Sequence, residues 1–153
     1  MIEINKPFVD FRLPNQDGAS KTLADYAGSW LVLYVYPKDD TPGCTIQGKS
    51  FTATKAEFEA AGAKVVGVSA DDVASHRAFC DKFSFTIDLL ADTDATLLRA
   101  AGVPQSEWKG VMYWSRTTFL VDPTGVLRKV YENVKPDGHE RVLLDDIAAL
   151  KAG

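Results

Sequence analysis

The sequence contains little cysteine and histidine, and this limits the chemistry open to it. Among 153 residues there are two cysteines, Cys44 and Cys80, and two histidines, His76 and His139. These four do not form a clustered set at the spacing of metal ligands. The chain also lacks a C-x-x-C pair, on which dithiol oxidoreductases depend, and the glycine patterns of nucleotide-binding loops. We therefore expect no metal, haem, flavin or nucleotide cofactor.

Excess charge and long hydrophobic runs are also missing. Seventeen basic against 21 acidic side chains give a formal charge of −4, which argues against a nucleic-acid-binding surface. The longest apolar run, from Trp30 to Tyr36, has the length of a strand and is far too short to span a membrane. The first residues lack the basic start and apolar core of a secretory signal. We therefore expect a cytoplasmic protein whose cysteines are thiols rather than a structural disulfide.

The order of strand and helix patterns predicts a single α/β domain over residues 1–153, with a mixed central sheet flanked by helices. The continuous β-prone run Leu31–Tyr36 is typical of a central strand buried on both faces. The predicted strands are 9–13, 31–36, 64–69, 87–90, 117–121 and 126–131. The predicted helices are 22–26, 41–61, a long one that begins after Asp71 or Asp72, 94–101 and 138–151.

Apolar spacing indicates which side chains of the three long helices point inward. The expected inward residues are Ile46, Phe51 and Phe58 on the first, Val73, Phe79, Cys80 and Phe83 on the second, and Val142, Leu143, Ile147 and Leu150 on the last. A polar residue between such positions, such as His76, is expected to be half-exposed.

The segment Pro37–Thr45 is the most informative for chemistry. It follows a central strand and opens a helix, and in open α/β sheets sites form at the carboxyl ends of strands. Cys44 is placed in the first turn of that helix, where unpaired N–H groups and the positive end of the helix dipole favour a thiolate. We therefore interpret Cys44 as a nucleophile rather than as a core side chain.

Several blocks of the chain resemble the peroxiredoxin family. Pro37-x3-Thr41-x2-Cys44 is similar to its active-site motif, and the fuller string from Tyr36 to Thr45 resembles the peroxiredoxin Q branch, also called bacterioferritin comigratory protein. Three further blocks are similar to the family's N-terminal hairpin (Phe11–Gly18), its catalytic-arginine strand (Arg116–Asp122) and its approach to the last helix (Val134–His139). Matched blocks in the right order are more specific than one short motif.

The resemblance implies a thioredoxin-like fold with an N-terminal β-hairpin, and a thiol-dependent peroxidase acting on hydrogen peroxide and organic hydroperoxides. By the resemblance, Cys44 is the peroxidatic cysteine, Thr41 hydrogen-bonds the thiolate and the peroxide, and Arg116 polarises the peroxide. We also expect Pro37 to shield the thiolate from water. Thioredoxin or a related dithiol protein is the implied reductant, and the implied state is a monomer.

A thiolate alone does not make a fast peroxidase, because its nucleophilicity falls as ionisation becomes easier. The larger contribution must come from donors that face the peroxide oxygens in the transition state. The candidates are the N–H groups near Gly43 and Cys44, the Thr41 hydroxyl and a nearby guanidinium.

The sequence assigns a role to the second cysteine, Cys80, less directly than to Cys44. Many members of the branch carry a resolving cysteine five residues after the peroxidatic one, where this chain has Lys49. Cys80, 36 positions after Cys44, resembles the resolving cysteine of a subset of the branch. The residues alone also allow a core role, since Phe79 and Phe83 neighbour it and buried free cysteines are common.

Resolution by Cys80 carries a geometric expectation. The two thiols are predicted on different helices, whereas a disulfide needs Cα atoms within about 7 Å. We expect the reduced protein to hold the thiols apart, and either the turns around 41–48 or the Cys80 helix to unwind when they join.

Several alternatives stay open. The alternatives to a two-cysteine peroxidase are a one-cysteine peroxidase that uses an external thiol, and a thioredoxin-fold redox sensor or binding module. A Cys–His hydrolase is disfavoured, because nothing in the sequence pairs a histidine with Cys44. The aromatics Trp108, Tyr113 and Trp114 either line an apolar rim for alkyl hydroperoxides, pack in the ordinary way, or form a self-association patch.

Overall fold

The structure, a computed structural model, describes residues 2–153; Met1, the first residue of the predicted domain, lies outside them. The strands are β1 (Arg12–Pro14), β2 (Ser20–Thr22), β3 (Trp30–Val35), β4 (Ala63–Ser69), β5 (Asp88–Ala91), β6 (Gln105–Trp108), β7 (Val111–Trp114), β8 (Thr117–Val121) and β9 (Leu127–Tyr131). The helices are α1 (Pro42–Ala53), α2 (Lys55–Ala60), α3 (Val73–Phe83), α4 (Thr96–Ala100) and α5 (His139–Ala152), with a 3-10 turn at Leu23–Tyr26.

The core of the fold is a five-stranded mixed sheet in the order β5-β4-β3-β8-β9. Strand β3 lies at its centre, parallel to β4 and antiparallel to β8. Alternation along β3 sends Leu31, Leu33 and Val35 into one apolar cluster and Val32 and Tyr34 into the other. All of β3 is buried, so the prediction of a central strand covered on both faces is confirmed.

The N-terminal hairpin is shorter than predicted. Only Arg12–Pro14 pairs as a strand, with Ser20–Thr22. The segment before β1 has no regular structure, although its Phe8 and Phe11 side chains are buried in the core. The apolar residues that predicted a longer strand are therefore explained by burial of single side chains and not by strand pairing. Residues 15–18 form the turn of this hairpin, in which the Asn15 side-chain oxygen accepts hydrogen bonds from the N–H groups of Asp17 and Ala19.

The single helix predicted over 41–61 is two helices. The break falls at Thr54, whose hydroxyl donates to the carbonyl oxygen of Ser50 at 2.7 Å. Such a side-chain bond competes with the helix ladder and bends or ends the helix.

Among residues 2–153, no helix combines the length and the apolar character needed to cross a membrane.

Two side chains predicted to point inward are exposed. The buried residues of α1 are Cys44, Gln47, Gly48 and Phe51, a stripe at i, i+3, i+4 and i+7. Ile46 lies off this stripe and is 44% exposed. In α5 the stripe runs through His139, Leu143 and Ile147, so Val142 is likewise exposed.

The hairpin of β6 and β7 was not predicted. Its two-residue turn is Lys109-Gly110, with φ values of 51° and 79°, the positive angles that a type I′ hairpin turn requires. Its large apolar side chains are exposed rather than packed: Trp108, Val111, Met112 and Tyr113. Trp114 packs partly against the core.

Candidate active site

Cys44 lies in the first turn of α1, just beyond the carboxyl end of β3. Thr41 is the N-cap residue in an extended conformation, and Pro42 occupies the first helical position, where its missing N–H removes no helix bond. The first intrahelical bond runs from the Thr45 N–H to the Thr41 carbonyl. The N–H groups of Gly43 and Cys44 therefore have no acceptor within the helix, as the sequence predicted.

The sulfur of Cys44 is enclosed by the protein. The residue is 2% exposed and packs in the apolar cluster that includes Tyr34 and Phe51. It is a free thiol. A charge that develops on this sulfur is therefore balanced mainly by protein groups, because little water reaches it.

Arg116 supplies the balancing charge. It lies directly before β8, and the pairing of Thr117 with Val35 places it beside the end of β3. Its Nη1 atom donates to the Cys44 sulfur at 3.6 Å. A Cβ atom at Gly43 would lie 2.7 Å from Nη2, so glycine there lets the guanidinium approach the thiol. The structure thus brings together the two residues that the sequence placed 72 positions apart.

Gln47 is a site residue that sequence reasoning missed. It lies one turn after Cys44, is 1% exposed, and its Oε1 accepts from Arg116 Nη1 at 2.6 Å. Among residues 2–153, its Nε2 has no hydrogen-bond partner. The signal was a polar residue on the buried stripe of α1, three positions after the cysteine.

The hydrogen-bond partner of the Thr41 hydroxyl is not the predicted one. It donates to the carbonyl oxygen of Lys38 at 2.8 Å, and within residues 2–153 no hydrogen bond joins it to the Cys44 sulfur. A hydroxyl has one proton, so in this state that proton closes the loop that leads into α1. Pro37 is half-buried at the start of this loop, and its shielding role stays a prediction.

Cys80 lies in α3, in the same apolar cluster as Cys44. It is 1% exposed and also a free thiol, so the two cysteines are unbonded, as expected. Burial raises the pKa of the Cys80 thiol to about 11. In this arrangement Cys80 is therefore protonated at neutral pH and a poor nucleophile.

His76 is fully buried, which corrects the prediction of a half-exposed residue. It lies on the inner stripe of α3, one turn before Cys80. Its Nε2 donates to the carbonyl oxygen of Leu90 at 2.9 Å, and its Nδ1 lies 2.7 Å from Oδ2 of Asp39. Polar partners on two other segments make this burial possible.

His139 gives a testable pH dependence. It is buried beside Thr118, whose hydroxyl lies 3.0 Å from Nε2, and burial lowers the pKa of His139 to about 4. Because the folded value lies below the unfolded value of about 6.5, the stability that depends on neutral His139 is complete above pH 6.5 and is lost toward pH 4. Allowing for partial solvent screening, we expect the free energy of unfolding to fall by up to about 2 kcal/mol as the pH is lowered through this range.

The measurement is urea unfolding of wild type and His139→Gln between pH 7 and pH 4. The variant should be less stable at pH 7, and the difference should shrink as pH falls. A constant difference across the range would show that His139 does not titrate on unfolding.

Comparison with known proteins identifies the class to which this site belongs. Residues 4–130 match the AhpC/TSA family. Peroxiredoxin Bcp of Xanthomonas campestris pv. campestris is 43% identical over 155 residues, covering 99% of this chain and 95% of that protein. A putative peroxiredoxin of the same name from Helicobacter pylori is 40% identical, covering 95% of this chain and 98% of the relative.

Solved structures give the same result. A cysteine-to-serine mutant of PrxQ from Xylella fastidiosa superposes with a TM-score of 0.93 at 36% identity, covering 99% of this chain and 98% of the other. Peroxiredoxin Q of Xanthomonas campestris superposes with a TM-score of 0.85 at 42% identity, covering 91% and 90%.

The chain therefore belongs to the AhpC/TSA family, whose members of this kind are thiol-dependent peroxidases of thioredoxin-like fold. Within that family it is a peroxiredoxin of the Q, or Bcp, branch. The fold and the peroxidase function expected from the sequence are confirmed.

Proposed function

We propose that Cys44 is the peroxidatic cysteine and Cys80 the resolving cysteine of a peroxidase that reduces hydrogen peroxide and organic hydroperoxides. One observation carries the proposal: Arg116 Nη1 lies 3.6 Å from the Cys44 sulfur at the start of α1. That geometry joins a nucleophile to a cation able to stabilise negative charge on sulfur and on a departing oxygen.

In the first step, the Cys44 thiolate attacks the terminal OH oxygen of ROOH. The S–O bond forms as the O–O bond breaks, and the alkoxide takes a proton to leave as ROH. Sulfur loses two electrons and becomes a sulfenic acid. The Arg116 guanidinium and the free N–H groups of Gly43 and Cys44 are the donors that stabilise the charge passing from sulfur to oxygen.

In the second step, the Cys80 thiol attacks the sulfenic acid of Cys44, a disulfide forms and water leaves. Two solved structures of Xanthomonas campestris peroxiredoxin Q support this pairing, since they replace cysteines 36 positions apart by serine, the spacing of Cys44 and Cys80. Both thiols start buried in packed helices, and the Cys80 thiol starts protonated, so local unfolding must precede the bond.

A dithiol protein such as thioredoxin then reduces the disulfide and is itself oxidised, which restores both thiols. Because the disulfide joins residues of one chain, a single copy completes the cycle, and we propose a monomer that acts in the reducing cytoplasm. Alkyl peroxide reduction activity is attributed to the Xanthomonas campestris bacterioferritin comigratory protein. The exposed apolar hairpin that precedes Arg116 supports organic hydroperoxides as substrates here as well.

Mass spectrometry after one equivalent of hydrogen peroxide tests the cycle. We expect a mass loss of two hydrogens and a Cys44–Cys80 bond within one chain. A stable sulfenic acid on Cys44 would instead indicate a one-cysteine enzyme, and an interchain disulfide would remove Cys80 from the resolving role. Consumption of peroxide that stops after one equivalent, even with a thioredoxin system present, would indicate a sensor.

Gln47 provides a prediction about the arrangement of the site. Gln47→Ala removes the acceptor that holds Arg116 Nη1, and we expect the rate of Cys44 oxidation to fall about tenfold because the guanidinium loses its fixed position. Gln47→Glu keeps an acceptor for Arg116 but adds a negative charge beside the Cys44 sulfur, so its rate should also fall although the guanidinium stays in place. Stopped-flow tryptophan fluorescence with hydrogen peroxide measures both; equal rates in wild type and Gln47→Ala would contradict the role.

A further inference from the structure

A buried polar network joins the loop that precedes Cys44 to the helix that carries Cys80. Asp39 is 7% exposed and lies between Pro37 and Thr41. Its carboxylate accepts from the Tyr36 hydroxyl at 2.6 Å and from the Ser75 hydroxyl at 2.7 Å. The same carboxylate lies 2.7 Å from Nδ1 of His76. Ser75 and His76 both belong to α3, so these contacts tie the loop to the first turn of that helix.

The backbone of the loop is tied to the same place. The Asp39 N–H donates to the Asp71 carboxylate at 2.9 Å, and that carboxylate also accepts from the Ser69 hydroxyl at 2.7 Å. Asp71 lies just before α3, at the end of β4. Side chain and backbone of Asp39 therefore hold the loop against one structural unit.

Further polar partners surround the Asp39–His76 contact. Nε2 of His76 donates to the Leu90 carbonyl oxygen, and the Tyr36 hydroxyl lies 3.3 Å from the same Nδ1 atom that contacts Asp39. Because both residues are buried, removal of one member leaves the other without its main partner, which raises the free energy of the folded state.

The positions of the pair along the chain give it a role. Asp39 is five residues before Cys44, and His76 is four residues before Cys80. A movement that takes the loop away from α3, or that unwinds α3 from its first turn, has to break the Asp39–His76 contact. Formation of a Cys44–Cys80 disulfide from the packed state requires a movement of this kind.

We propose that Asp39 and His76 are positioning residues that hold the two cysteine-bearing segments in the peroxide-reactive arrangement and so set how often the site opens for disulfide formation, an inference that rests on the two-cysteine cycle above. The pair slows the second chemical step and prolongs the life of the Cys44 sulfenic acid. It thereby also sets how readily a second peroxide oxidises that group to the sulfinic acid.

The test separates the two steps kinetically in wild type and Asp39→Asn. Stopped-flow fluorescence and timed thiol trapping with mass analysis follow sulfenic acid formation and its conversion to the disulfide. We expect the conversion to be at least about tenfold faster in Asp39→Asn, while sulfenic acid formation changes less. The amide has one acceptor oxygen where the carboxylate has two, so the contacts to Tyr36, Ser75 and His76 cannot all be kept. At high peroxide, the fraction of Cys44 found as sulfinic acid should fall in proportion.

Asp88→Asn is the matched control. Asp88 also accepts from a tyrosine hydroxyl, that of Tyr26 at 3.1 Å, but its hydrogen bonds in the described part of the chain go to Asn15 and Tyr26 and not to the loop before Cys44 or to α3. This variant should leave the disulfide-forming step unchanged even where it lowers global stability. If Asp39→Asn does not fold, Ser75→Ala removes one bond to the same carboxylate and should accelerate the step in the same direction, by a smaller factor.

The outcomes distinguish this inference from the cycle on which it rests. If wild type forms no Cys44–Cys80 disulfide, both the cycle and the inference fall. If wild type forms the disulfide and Asp39→Asn and Ser75→Ala form it no faster, only the positioning role is wrong. An equal acceleration in Asp88→Asn would assign the effect to general loss of stability and would also overturn the inference.

Discussion

Replacement of Cys44 by serine should abolish peroxide turnover, with the rate reduced to that of peroxide and reductant without enzyme. A serine hydroxyl is not ionised at neutral pH and is a far weaker nucleophile toward an O–O bond than a thiolate. Arg116 and the free N–H groups of α1 remain in place in this variant, so the result isolates the contribution of sulfur. Steady-state consumption of hydrogen peroxide with a thioredoxin system is the measurement.

Cys80→Ser is the control, because it makes the same substitution at an equally buried cysteine of the same apolar cluster. This variant should consume one equivalent of peroxide at the wild-type rate and then accumulate Cys44 sulfenic acid, with sulfinic acid at higher peroxide. Sustained turnover by Cys44→Ser, or a failure of Cys80→Ser to react even once, would contradict the assignment of the two roles.

The central part of the fold could be predicted from local patterns. Strand β3 is a continuous β-prone run because both of its faces are covered, and Asp122–Gly125 is a turn that its own residues specify. The break at Thr54 depends on one side-chain bond to Ser50. Helical periodicity over 41–61 gives no sign of that competition, so the sequence predicted one helix.

Burial of polar side chains was the least predictable feature. Gln47 and His76 lie on inner stripes of their helices, but a polar residue is buried only where another segment supplies its partner. Those partners, Arg116 for Gln47 and Asp39 for His76, lie 69 and 37 positions away. A local sequence pattern cannot show contacts between residues so far apart along the chain. This explains why Cys44 could be recognised from its own segment while its supporting residues could not.

Arg116 is another site residue that local sequence patterns could not identify. Its own surroundings in the sequence are those of an ordinary strand arginine, and only the resemblance to a family motif marked it as part of a site. Its position is decided by the antiparallel pairing of β8 with β3, a contact between strands far apart in the chain. Sheet topology, rather than local sequence, therefore completes the site.

Arg116→Ala should leave a slow but measurable peroxidase. The substitution removes the donor that lies 3.6 Å from the Cys44 sulfur, and the loss of one such preorganised donor costs about 10²–10³ in rate. The N–H groups of Gly43 and Cys44 and the thiol remain, which is why activity should persist above that of Cys44→Ser. Stopped-flow oxidation by hydrogen peroxide, measured before any resolving step, gives the rate constant directly.

Two further arginine variants show whether charge, geometry or neither is responsible. Arg116→Lys keeps a positive charge but loses the Nη1 group that donates to Cys44 and Gln47 together, so we expect a rate between those of wild type and Arg116→Ala. Arg141, an exposed arginine paired with Glu57 on the surface, is the control, and Arg141→Ala should oxidise at the wild-type rate. If Arg116→Ala reacts as fast as Arg141→Ala, the guanidinium takes no part in the transition state, and Cys44 owes its reactivity to the helix N-terminus alone.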